Sequence, residues 1–193
     1  MELKDGISAV MAARSYAEAE TKGERAHLRL PEGFSDKKGV FVTVSRYPSG
    51  DLRGCIGYPE PVLSLGDALM MSAIAACHDP RFEDLTFPET NECTFEVTVL
   101  TVPKPVEYSS AGELLSKIVI GRDGLIITRG GRRGLLLPQV PAEFGWDAKE
   151  FLMHLSLKAG LDQDAWAAPD ASIEAFRGEI FSETSPRGEV IRK

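Results

Sequence analysis

The 193-residue sequence predicts an α+β fold of mostly antiparallel sheets with flanking helices. Two observations predict it, and a third bears on its division into lobes. Segments with helical and with strand periodicity follow one another without the regular β–α–β alternation of a parallel sheet. Strand-like runs are joined by short turns rich in Gly, Pro, Ser and Asp, which is hairpin chemistry. There is no internal repeat, low-complexity tract or flexible linker. Any division into lobes must therefore come from packing within one domain, residues 1–193. The hairpin plus helix of residues 39–87 is the piece expected to stand apart as a smaller lobe, with the remainder as the larger one.

The elements follow in order. Leu3, Ile7, Val10, Met11 and Ala17 recur at helical spacing over residues 3–20, and Lys22-Gly23 ends that helix. Residues 24–38 read as irregular, with a turn at Pro31-Glu32-Gly33. Residues 39–47 alternate as a strand, with Val40, Val42 and Val44 on one face and Phe41, Thr43 and Ser45 on the other. Pro48-Ser49-Gly50-Asp51 turns it into a second strand at residues 52–57. Ser64 and Asp67 have the spacing of a capping box. They open an Ala-rich helix that Pro80 stops. Residues 93–101 form a half-buried strand, with Cys93, Phe95, Val97 and Val99 on its apolar face. Ser110 and Glu113 cap a short helix. The runs 118–120, 125–128 and 135–137, separated by glycine turns, predict an antiparallel meander closed by Pro138-Gln139-Val140-Pro141. Asp147 and Glu150 cap a further helix ended by Gly160. Residues 172–182 read as a final strand, followed by a frayed polar tail.

Composition narrows the function classes. A hydrophobic fraction of 43% and a charged fraction of 26% are those of a globular protein. No apolar run approaches membrane-spanning length. The start, Met1-Glu2-Leu3-Lys4-Asp5-Gly6, has no basic and apolar signal pattern, which predicts a cytoplasmic protein. Three cysteines without a C-x-x-C pattern imply free thiols. A net charge of −7 argues against a broad nucleic-acid or membrane surface. His27, His78 and His154 lie far apart, with no partner at metal-ligand spacing, so no metal site is expected.

The stretch that stands out is Leu52-Arg53-Gly54-Cys55-Ile56-Gly57. Read as a regular strand, it puts Arg53, Cys55 and Gly57 on one face, with guanidinium and thiol roughly 7 Å apart. Arg and paired glycines suit a core strand poorly, whereas they suit a place where something approaches the backbone closely. Cys55 is then either a small buried hydrophobe or a thiolate favoured by Arg53 and Arg81, acting as nucleophile, carrier or ligand. Cys77 and Cys93 fit packing. Arg53 either pairs with a surface carboxylate or converges with Arg81 on a small anionic ligand, for which a planar fork is suited. Asp79 either braces Arg81 or joins the site. Gln139, held between two prolines, either reads a ligand amide or satisfies a loop backbone. Arg122, Arg129, Arg132 and Arg133 gather around hairpin turns, as a solvated surface or as a local anion or RNA contact.

These motifs together resemble the AMMECR-type domain family, widespread in archaea and bacteria. The residues that carry the resemblance are Leu52-Arg53-Gly54-Cys55-Ile56-Gly57, Gly39-Val40-Phe41-Val42-Thr43, Asp79-Pro80-Arg81-Phe82, Leu136-Leu137-Pro138-Gln139-Val140, Trp146 and Lys158-Ala159-Gly160-Leu161. They stand in the family's order and span nearly the whole chain. His78 lies just outside the family's Asp-Pro-Arg-Phe motif. The resemblance implies an α+β fold of a larger and a smaller lobe. It also implies company with a Memo-like protein and a radical S-adenosylmethionine protein, and it brings no established activity and no specified cofactor. The expected function is an accessory or co-catalytic component of such a system, with a ligand or partner site around the LRGCIG motif. That site comprises Cys55 with Arg53, Gly54, Gly57, Asp79, Arg81 and Gln139. The alternatives are a cysteine-dependent enzyme acting on a small anionic substrate, and an RNA-binding regulatory protein.

Overall fold

Capping and turn residues set most of the element boundaries. The structure, a computed structural model, describes residues 1–193. Its elements run α1 (Leu3–Thr21), β1 (Val40–Arg46), β2 (Leu52–Tyr58), α2 (Leu65–Cys77), α3 (Phe87–Thr90), β3 (Cys93–Leu100) and β4 (Lys104–Pro105). They continue with α4 (Ala111–Lys117), β5 (Asp123–Arg129), β6 (Arg132–Leu136), α5 (Gln139–Phe144), α6 (Ala148–Lys158), β7 (Ser172–Glu183) and β8 (Val190–Arg192). The strand pairings are antiparallel, and the fold is α+β. No helix is long and apolar enough to cross a membrane. The chain divides into two compact units: Met1–Leu100 with Glu179–Lys193, and Thr101–Gly178. Residues 39–87 lie within the first.

In the first unit the strands run β2-β1-β3 and then the end of β7, to which β8 pairs. Ser64 caps α2 by accepting the Asp67 backbone N–H at 3.1 Å. Gly23, at φ 71°, carries the chain out of α1 in the left-handed region that glycine tolerates. Val40, Val42 and Val44 of β1 and Cys93, Phe95, Val97 and Val99 of β3 are buried against α1 and α2. On the opposite face Phe41, Thr43, Ser45, Thr94, Glu96 and Thr98 are half-buried. This is the period-2 split that the sequence predicts.

A buried ion network ties α1 to the sheet. Arg14 donates from Nε to Glu183 Oε1 at 2.7 Å, from Nη1 to the Thr90 carbonyl at 2.8 Å and from Nη2 to the Cys93 carbonyl at 2.7 Å. Glu183 also accepts the Phe95 backbone N–H at 3.0 Å. Arg14 donates further from Nη1 to Glu18 and from Nη2 to Glu183 Oε2, so all five of its N–H groups are met, as a buried ion requires.

In the second unit β5 pairs with β6 through a Gly130-Gly131 turn, both glycines at positive φ, and with the first half of β7. Asp147 and Glu150 form the expected capping box on α6. Leu114, Leu125, Ile127, Phe151, Leu152, Leu155, Trp166 and Ile173 form this unit's core.

Three sequence expectations are corrected. Residues 118–120 are a connection, not a strand: the Asp123 carboxylate takes the Val119 N–H at 3.0 Å and folds the run into a turn before β5. Residues 138–141 open helix α5 instead of forming a loop. Pro138 is its N-cap and Pro141 lies in its first turn, where a missing N–H costs nothing. The tail is not frayed, because β8 pairs Val190–Arg192 with β7, and Lys193 reaches Glu96 at 2.6 Å.

Candidate functional site

The hairpin that presents Cys55 is not regular. Val44 pairs with Gly54 and Ser45 with Leu52, so Arg53 is an extra, unpaired residue on β2. This bulge breaks the alternation that places Arg53 beside Cys55. The Arg53 side chain, 5% exposed, instead reaches the connection after α2 and helix α3. It donates to Glu89 from Nε at 3.0 Å and from Nη2 at 3.2 Å, and to the carbonyls of Glu83 at 2.9 Å and Asp84 at 3.1 Å. Its fork holds the Glu89 carboxyl down at about 2. Arg53 is a buried brace, and four of its five N–H groups are spent on the protein itself.

Gly54 faces α2 so closely that a Cβ there would stand 2.2 Å from the Ala76 carbonyl oxygen. Gly57 is similarly required, since a Cβ would meet the Phe41 ring at 2.3 Å and the Val40 carbonyl at 2.4 Å. Both glycines therefore admit parts of the protein, α2 at Gly54 and the Phe41 ring at Gly57.

Cys55 lies opposite Thr43 on β1, on the half-buried face of the sheet. The Thr43 hydroxyl donates to Cys55 Sγ at 3.3 Å. β2 is the outer strand of this unit, and the Cys55 backbone points away from β1. Its N–H donates to Asp79 Oδ2 at 2.9 Å, and its carbonyl accepts Arg81 Nη2 at 3.2 Å. Two side chains thus stand in for a neighbouring strand at this point of the edge. The arrangement makes Thr43–Cys55 a non-hydrogen-bonded cross-strand pair, the kind whose side chains lie closest.

Asp79 is 2% exposed and accepts from Arg81 three times: from Nη2 at 2.6 Å, from Nε at 3.0 Å and from the backbone N–H at 3.1 Å. The Arg81 fork, aided by the Cys55 N–H, holds the Asp79 carboxyl well below the usual carboxylate range. Asp79 stays ionised near neutral pH and is no proton shuttle. The Arg81 side chain itself is 55% exposed. The structure therefore brings Cys55, Asp79 and Arg81 together, adds Thr43, and sends Arg53 elsewhere. Gln139 opens α5 in the second unit, with its side chain exposed.

The other thiols are unlike Cys55. Cys77 and Cys93 are enclosed in the core, and burial pushes the Cys77 thiol up to about 12 and raises that of Cys93. His78 is occupied on both ring nitrogens, with Nε2 3.0 Å from Glu20 and Nδ1 2.9 Å from Asp84. Two carboxylate partners need two ring N–H groups, so they favour the imidazolium and raise the His78 pKa. A raised folded-state value means that this bridge stabilises fully below the unfolded value of about 6.5 and is lost as pH rises through the folded value. The expected result is that His78→Gln destabilises by up to about 1 kcal/mol near pH 6, an upper bound for a half-exposed bridge. The difference should fade near pH 9, as read by urea unfolding of both proteins. A difference independent of pH would show that the bridge does not titrate.

Thr43 and Glu89 are the partners that sequence reading missed. Thr43 had a signal, since it lies on the same strand face as Phe41 and Ser45, but pairing it with Cys55 required the register across the hairpin.

Comparisons with known proteins place the chain in a family. The chain is 48% identical over 195 residues to protein MJ0810 of Methanocaldococcus jannaschii, covering 100% of this chain and 97% of that protein. It is 46% identical over 197 residues to protein MK0488 of Methanopyrus kandleri, covering 98% and 94%. The crystal structure of the uncharacterized protein PH0010 from Pyrococcus horikoshii superposes with a TM-score of 0.79 at 42% identity, covering 98% of this chain and 97% of that one. The AMMECR1 family model matches residues 9–181, and the chain belongs to the AMMECR1 family.

Proposed function

We propose that the protein is a binding or co-catalytic component of a larger cytoplasmic system, and that its working surface is the Cys55 face of the first unit. The observation that carries this reading is the setting of the sulfur. Cys55 is half-buried on an outer strand, its backbone is clamped by Asp79 and Arg81, and its sulfur is met by a hydroxyl donor and not by a base. Asp79 is held ionised and His78 is taken by Glu20 and Asp84, so neither serves as a base for the thiol. The Arg81 Nη1 group, not used on Asp79 or the Cys55 carbonyl, belongs to a half-exposed side chain and suits one oxygen of a small anionic ligand or of an acidic group on a partner. The partners that the family resemblance implies are a Memo-like protein and a radical S-adenosylmethionine protein.

The rival reading is a cysteine-dependent enzyme, and it is favoured by the contact from Thr43 to the sulfur. The RNA-binding reading has less support, because Arg129 and Arg133 pair with Asp170 and Glu174.

Two measurements test the proposal. Iodoacetamide near neutral pH is expected to label Cys55 before Cys77 and Cys93, because enclosed thiols with raised pKa react slowly. Labelling of all three only after denaturation would remove the Cys55 face as a site. The isolated protein is also expected to turn over no simple ester, phosphate or amide substrate, while binding a Memo-like protein through an interface of roughly 1,200–2,000 Å². Robust turnover by the isolated chain, lost in Cys55→Ser, would establish the enzyme reading instead.

A further inference from the structure

The arginines around the hairpin turns of the second unit are not equivalent. Arg129 pairs with Asp170 at 2.9 Å and Arg133 with Glu174 at 3.3 Å. Arg132 donates to the Gly160 carbonyl. Arg122 shares its carboxylate with a second arginine. It donates to Asp123 Oδ1 from Nε at 2.8 Å and to Oδ2 from Nη2 at 2.6 Å, while Arg177 on the paired strand β7 donates to the same Oδ1 from Nε at 3.3 Å. Asp123 is 4% exposed, and its Oδ2 also takes the Val119 N–H. Each carboxylate oxygen thus accepts two donors, which fills its lone pairs.

Two guanidiniums on one saturated carboxylate leave an excess positive charge, in a chain whose net charge is −7. Three guanidinium N–H groups are used on Asp123, out of five on each arginine. The side chains are 45% and 58% exposed, so both arginines remain open to solvent. Both Nε atoms contact one oxygen, which holds two like charges close together; such a pair is at ease when a further anion lies between them. Asp123 grips the Arg122 fork with two bonds and tethers Arg177 with one, so part of the side-chain freedom is already lost before binding.

We propose that Arg122 and Arg177, held by Asp123, form a binding site for a small oxyanion, a phosphate or carboxylate group taken by paired guanidinium forks. The site belongs to the second unit alone and stands independently of the Cys55 face.

The test uses the full chain, with inorganic phosphate and malonate as separate probes, titrated against chloride at matched ionic strength. The readout is the Nε–H signals of the arginines by NMR. Phosphate, malonate or both are expected to shift the Arg122 and Arg177 signals saturably, and which probe binds tighter identifies the oxyanion class. Arg177→Gln removes one 3.3 Å contact and leaves the grip of Arg122 on Asp123 intact, so the fold should persist. It is expected to weaken binding about tenfold, a loss of one charged contact. Arg122→Lys keeps the charge and loses the fork, and should also bind more weakly. No saturable shift with either probe, or equal binding by wild type and Arg177→Gln, would overturn the proposal.

Discussion

Arg14→Ala is expected to destabilise the protein by roughly 3–5 kcal/mol, because it leaves Glu183 as an uncompensated buried charge. Three further groups lose a partner with it. The Thr90 and Cys93 carbonyls each lose a guanidinium N–H, and Glu18 loses its partner on the same helix. Glu183→Ala should also destabilise, though by less because Glu18 still pairs with Arg14, since it takes two partners from the buried guanidinium and strands the Phe95 N–H. The double replacement Arg14→Met with Glu183→Leu removes both charges and keeps apolar volume, so it should cost less than either single change. Urea unfolding of the four proteins closes the cycle. Single variants within about 1 kcal/mol of wild type would mean that the network is solvated and contributes little.

That network is also the clearest case of structure the sequence does not disclose. Arg14 and Glu183 are 169 positions apart, and no local pattern links them. What local patterns do disclose, they disclose well. Ser64 with Asp67, Ser110 with Glu113 and Asp147 with Glu150 mark three helix starts, because a cap is chemistry between near neighbours. Alternation identifies the buried faces of β1 and β3 for the same reason. The failures arise where one local rule has two structural outcomes. Pro138 and Pro141 read as breakers, yet both are tolerated at the start of α5. The β-branched run 118–120 reads as a strand, yet the Asp123 carboxylate captures its backbone. In the candidate site, Cys55, Asp79 and Arg81 are brought together as their motifs suggest. Arg53 is not, because one bulge shifts the phase of the strand, and a bulge leaves no mark in the alternation itself.

The other large expected effect is at Gly54, and it joins fold to site. Gly54→Ala puts a methyl group 2.2 Å from the Ala76 carbonyl oxygen, inside any permitted contact. Ala76 sits in the last turn of α2, so the obstacle is helix backbone and not a mobile side-chain tip. Either β2 or the end of α2 must move, at a cost of roughly 1–3 kcal/mol or more for an overpacked core position. The movement has a direction. Asp79 follows α2 by two residues and bonds the Cys55 N–H, so separating strand from helix lengthens that 2.9 Å bond and releases the edge clamp. Gly54→Ala is therefore expected to lower the melting temperature, speed amide exchange at Cys55 and alter the alkylation rate of its thiol together. Gly112→Ala provides the contrast. Gly112 lies in α4 with nothing within 4 Å of an added Cβ, so alanine there should stabilise by about 0.5–1 kcal/mol and leave Cys55 unchanged. If Gly54→Ala melts like wild type and keeps the Cys55 amide protected, then α2 does not press on the strand as the structure has it. The clamp on Cys55 would then have to be held by something other than the close approach that this glycine permits.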